Sequence, residues 1–133
     1  MSKSVRIYIA LVLQIIAVLF ALMSWIDPLE GGVAMTMSIG WSAIAFFVGR
    51  IPVPKFAWIT AAACVVFLVI FWSIYLAEIP ADTAQMGTYE PSSTILSLLW
   101  VYRVLAIAFI SGSIFYAVFQ FTERRKFLAA GDN

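Results

Sequence analysis

Apolar residues in this chain come in long runs interrupted by short polar breaks, without the strict alternation that marks half-buried strands. Four runs stand out: Ile7 to Ile26, Val33 to Gly49, Phe56 to Ala77 and Thr94 to Phe121. A helix needs about 20 mainly apolar residues to cross a hydrocarbon layer roughly 30 Å thick. Three runs meet that length, and the shorter second one suits thinned bilayer or little tilt. The pattern predicts an all-α integral membrane protein, residues 1–133 forming one domain of four transmembrane helices in a small bundle.

The breaks carry their own signals. Asp27-Pro28 ends the first span, and Gly31-Gly32 is expected to supply a tight reversal. Arg50 to Lys55 (RIPVPK) reads as a short, stiff link, because Pro52 and Pro54 each fix their backbone. Only Glu78 to Ser93 is long enough to be a true loop, with Pro80, Gly87 and Pro91 as breakers.

Composition agrees with the pattern. Of 133 residues, 64% are hydrophobic and 11% charged, against about 45–50% and about 25% in soluble domains. A domain of this size leaves too much of its chain exposed to hide that surface from water. Lipid is therefore the expected solvent.

The distribution of charge predicts orientation. Lys3 and Arg6 precede the first span, Arg50 and Lys55 join the second to the third, and Arg124, Arg125 and Lys126 follow the fourth. The other two connections hold Asp27, Glu30, Glu78, Asp82 and Glu90, with no Lys or Arg. The positive-inside rule then places both termini and the RIPVPK link in the cytoplasm, in a membrane of the bacterial cytoplasmic (inner-membrane) type. A cleaved signal peptide is the rival reading of the basic start. The first apolar run exceeds the usual length of about 7–15 residues, however, and no A-x-A-like site follows it.

Helices in lipid associate through small residues and scarce polar contacts. Ala10, Gln14, Ala17, Ala21 and Ser24 recur at steps of three and four, so they share one face of the first helix. Ala34, Ser38 and Ser42 do the same in the second, Ala57, Ala61 and Cys64 in the third, and Ala108 and Gly112 in the fourth. These seams are expected to assemble the bundle, and one on the first or second span could also dock a partner helix. Gln14 is the amide deepest within a span and should find a hydrogen-bond partner. Cys64 reads as a small packing residue. Tyr8 and Trp58 fall at inner ends and Trp25, Trp72 and Tyr75 near outer ends, as amphipathic rings prefer. Trp41 lies mid-span, where packing is the favoured role.

Arg103, inside TILSLLWVYRVLAIAFISGS, is the one cation within an apolar run. Counted back from Phe121 it falls near the outer interface, where its guanidinium can snorkel to headgroups. A helix starting at Thr94 would instead place it deeper, in need of an acidic partner. Glu78 is then preferred, with Asp27, Glu30, Asp82 and Glu90 on the same side. An anionic lipid or a carboxylate of another subunit is the third option.

Little autonomous chemistry is expected. Proton-coupled transport usually uses an ionisable carboxylate or imidazole within the membrane, whereas the chain has no histidine and its acids lie outside the runs or at their ends. One cysteine and no histidine leave no intrachain disulfide, zinc cluster or bis-histidine haem. No glycine-rich phosphate cradle or activated nucleophile is recognisable, so neither enzyme activity nor a cofactor is expected. The ERRKF stretch is too short for nucleic acid and reads as a topology signal or an anionic-headgroup contact. The leading expectation is a non-catalytic accessory subunit that stabilises a larger membrane complex; the alternative is a small homo-oligomeric channel or transporter. The orientation is directly testable. With Cys64 replaced, single cysteines at Thr83 and Ala130 are expected to react with an impermeant thiol reagent from opposite sides of the membrane. Labelling of both from the same side overturns the four-span arrangement.

Overall fold

The computed structural model describes residues 2–26, 30–78 and 93–130, with the side chains of Glu78, Thr94, Ile95 and Ala130 outside that description. Four helices account for nearly all of it: α1 (Lys3–Met23), α2 (Glu30–Gly49), α3 (Lys55–Glu78) and α4 (Ser93–Ala130). All four are long and apolar enough to cross a membrane.

Three boundaries differ from the sequence expectation. Helix α1 stops at Met23 instead of Ile26. There the Ser24 hydroxyl donates to the Ala21 carbonyl at 2.5 Å, a local bond that competes with helix continuation. Gly31 and Gly32 do not form the reversal, because both already lie in the first turn of α2. The expected stop at Asp27-Pro28 lies outside the described residues, as do 79–92 of the expected loop. Finally, α4 runs past Phe121 to Ala130. Polarity ends the apolar run there, but Glu123 to Ala130 contains neither Gly nor Pro and favours helix throughout. At 38 residues and about 1.5 Å per residue, α4 is about 57 Å long.

Helix α1 packs against α2 and α4, and α4 against α3, whereas α2 and α3 barely meet. The small-residue face of α1 explains its central place. Ala10, Gln14, Ala17 and Ala21 are fully buried, and Ala10 sits where Gly49 of α2 leaves room for its methyl group. From α2, Ala34 and Ser38 are buried and Ser42 is half-buried. Between α3 and α4 the close approach depends on Gly112. A Cβ there would lie 2.7 Å from Thr60 Oγ1 and 3.2 Å from the Ala57 Cα, too near for any side chain. Ala108 is only half-buried. The buried line of α4 runs instead through Tyr102, Ala106, Phe109, Ser113, Tyr116 and Gln120.

Two apolar clusters lie toward opposite ends. At the end carrying Glu30, the larger one joins Ala21, Met35, Phe67, Phe71 and Tyr102. At the basic end, Ile7, Ile51, Ala57 and Tyr116 form the smaller one, covered by Phe127 and Leu128 of the α4 extension. The link reaches this cluster because Arg50 adopts the left-handed region (φ 62°), which turns the chain sharply after α2 and buries Ile51 completely. The outward faces are lined by Val, Ile, Leu and Trp; Trp100 is 71% exposed.

The α1–α2 contact predicts a sharp difference between two leucine substitutions. Ala17→Leu should destabilise the fold by about 1–3 kcal/mol through overpacking, while Val12→Leu, on the exposed face of α1, should change it little. Unfolding titrations in mixed micelles measure both, and equal effects would contradict the contact.

Candidate functional site

The chemistry-bearing side chains fall into three places: a polar knot at mid-length, a cation on the surface at one end, and a cleft toward the other. Gln14 is the centre of the first. It faces inward because it shares the buried face of α1 with Ala10, Ala17 and Ala21, and it is itself fully buried. Its Nε2 donates to the Ser113 carbonyl at 3.0 Å and to Ser113 Oγ at 3.2 Å. Its Oε1 accepts from Ser42 Oγ at 2.8 Å. One amide thus ties together α1, α2 and α4. A turn away, Ser38 Oγ donates to the Ala17 carbonyl at 2.6 Å and fastens α2 to α1 again. Such bonds between apolar helices average only about 0.6 kcal/mol, but an amide buried without partners costs about 1–3 kcal/mol.

Two tyrosines of α4 extend this fastening to the chain reversals. Tyr102 donates to the Ser24 carbonyl at 2.5 Å, and Tyr116 donates to the Ile51 carbonyl at 2.7 Å. Each satisfies a carbonyl where the chain leaves regular helix, at the end of α1 and in the link. Neither tyrosine is among the packing residues that the linear sequence singles out. Their recurrence with Ala106, Phe109, Ser113 and Gln120 at alternating steps of four and three is the signal that could have found them. Gln120 was also missed. It is buried beside Tyr116, yet neither amide atom makes a hydrogen bond among the described residues.

Arg103 lies on the outside of α4. Its guanidinium carbon is 5.7 Å from the centroid of the Trp25 ring and 6.0 Å from that of Trp100. The contact joins α4 to the chain just after α1 and contributes about 0.5–1 kcal/mol at an exposed position. A cation inside an apolar run is therefore accommodated by facing outward between two indoles. The Glu78 side chain, and the whole of Asp27, Asp82 and Glu90, lie outside the described residues.

The third feature is a cleft of about 320 Å³ between α2 and α3. Ile39, Ala43 and Phe47 form one wall, Trp58 and Ala61 the other, and Phe109 lies at the back. Gln14, Ser42 and Ser113 border it but bond to one another. Cys64 is buried elsewhere, its sulfur 3.6 Å from the Leu105 carbonyl. Among the described residues no group of three or more His, Cys, Asp or Glu could hold a metal ion.

The knot makes a double-mutant test direct. Gln14→Leu, Ser42→Ala and the double variant should show a coupling of about 0.6 kcal/mol, with about 1.7 as the upper bound for such pairs. Unfolding in mixed micelles reads it out. A coupling of zero would mean that Ser42 adds nothing to the hold on Gln14.

Comparison with known proteins finds no matching family model, no matching curated protein and no matching solved structure.

Proposed function

We propose that this chain is an integral membrane protein with both termini in the cytoplasm, acting as a non-catalytic accessory subunit that packs against a larger membrane complex and stabilises it. Four long apolar helices support the membrane setting, and the one-sided distribution of Lys and Arg supports the orientation. The observation that carries the subunit reading is the division of labour among polar side chains. Those at mid-length, Gln14, Ser38, Ser42 and Ser113, are hydrogen-bonded within the bundle. The cation Arg103 is turned outward instead, braced by Trp25 and Trp100. A pore or transport path needs polar groups presented to a passing solute; a docking subunit needs a satisfied interior and a surface on which a partner can be recognised.

Arg103 would then offer a planar, permanently charged donor set to a partner carboxylate or a lipid phosphate at the outer boundary. The test is purification from the native host in mild detergent, with wild type beside Arg103→Gln. A larger protein should co-purify in fixed stoichiometry with the wild type and be depleted severalfold with the variant. Undiminished recovery would remove Arg103 from the contact. A symmetric homo-oligomer alone would replace the subunit reading with that of a small channel or transporter, and a lone monomer would leave neither standing.

A further inference from the structure

The cleft between α2 and α3 is not used by the subunit reading. It runs from the polar knot toward the link between α2 and α3, and its rim carries Phe47, 61% exposed, and Trp58, 52% exposed. Its origin lies in the packing. Gly32 lets α2 approach Leu68 and Trp72 of α3 toward the end carrying Glu30, while at the other end the buried Ile51 and its bond from Tyr116 hold the link under the bundle. The two helices consequently stay apart over 39–47 and 57–61, where the cleft opens sideways.

We infer that this cleft seats one acyl chain of an anionic phospholipid, with the headgroup at the link beside Arg50 and Lys55. The inference rests on the membrane setting proposed above, and not on the accessory role. Access suits a hydrocarbon chain, because the cleft opens sideways between the exposed Phe47 and Trp58 and a tail lying along the bundle can enter it laterally. Chemistry selects a tail over a polar solute. The walls are aliphatic and aromatic, and the polar atoms at its deep end are bound to one another through Gln14. Charge selects the headgroup. The link at the cleft's basic end carries Arg50 and Lys55, both exposed, and basic side chains at a membrane surface attract anionic lipid.

The test is native mass spectrometry of the purified full chain, titrated with dioleoyl phosphatidylglycerol or dioleoyl phosphatidylcholine. One adduct should form, with a preference for phosphatidylglycerol on the order of tenfold. Ala43→Trp, which fills the cleft, should abolish the adduct. Ala63→Trp, on the exposed opposite face of α3, should leave it intact. Arg50→Gln with Lys55→Gln should keep the adduct and lose the preference. An adduct unaffected by Ala43→Trp, or a preference that survives loss of both cations, overturns the inference. Should Ala43→Trp fail to fold, wild-type chain with a phosphatidylglycerol bearing a mid-chain diazirine decides the matter. Crosslinks should concentrate on Phe47 and Trp58, and equal labelling of the Trp100 face of α4 overturns the seat. A benzophenone at Ala43 that captures a polypeptide in native membranes overturns it in favour of a partner side chain. Recovery of the chain in the membrane fraction tests the setting separately, so its failure is distinguishable from failure of the lipid seat.

Discussion

One primary amide, buried where water cannot reach it, sets the register of three helices. Gln14 has donors and an acceptor to satisfy, and among apolar side chains only polar groups on neighbouring helices can do so. Ser42 of α2 and Ser113 of α4 meet that demand. A slide of one helical turn, or a rotation of about 100° by one residue, would leave the amide unpaired. The bonds are weak individually, but the cost of leaving them unmade discriminates strongly against other registers. The alanines on the same face of α1 permit the close approach that makes the bonds reachable.

Helix α3 stands apart from this knot. Its attachment to α4 is mainly steric and apolar, through Gly112 against Thr60 and Ala57 and through the Phe67, Phe71 and Tyr102 cluster, with one weak bond from the Cys64 thiol to the Leu105 carbonyl. The bundle is thus a firmly registered group of three helices with a fourth leaning on one side. The opening between α2 and α3 follows from that asymmetry, because along the cleft the hydroxyls of Ser42 and Thr60 bond to Gln14 and to Ala57 instead of reaching across from one helix to the other. The tyrosine bonds to Ser24 and Ile51 then fix the chain ends around the opening.

Polarity is divided accordingly between inside and outside. Neutral amide and hydroxyl groups serve the interior, where each finds a partner without carrying charge into a low-dielectric region. Gln120 is the exception, buried without a hydrogen bond among the described residues. Full charges stay on the surface: Arg103 at one end, and Arg50 and Lys55 at the other. Both proposed contacts, one with a partner and one with a lipid, are accordingly peripheral.

The sequence by itself determined the helix count, the approximate spans and the segregation of basic from acidic ends. Those follow from composition and period along one chain, where each residue acts through its own transfer free energy. It also placed Gln14 and its alanine neighbours on one face, because helical periodicity is a local property. It did not reveal that Ser42 and Ser113 share that amide, that Tyr102 and Tyr116 point inward, or that Trp25 stands beside Arg103, 78 residues later in the chain. Nor could it show the cleft, which is a gap between surfaces and belongs to no single segment. The helix ends show the same limit. Gly31 and Gly32 resemble a turn until the end of α1 and α3 are present to exploit their missing side chains, and ERRKF reads as a topology signal or headgroup contact until Phe127 and the following Leu128 pack against the Ile7, Ile51 and Tyr116 cluster. Only the tertiary structure decided these points, because pairing and close approach depend on relative rotation, and many rotations satisfy the same apolar pattern.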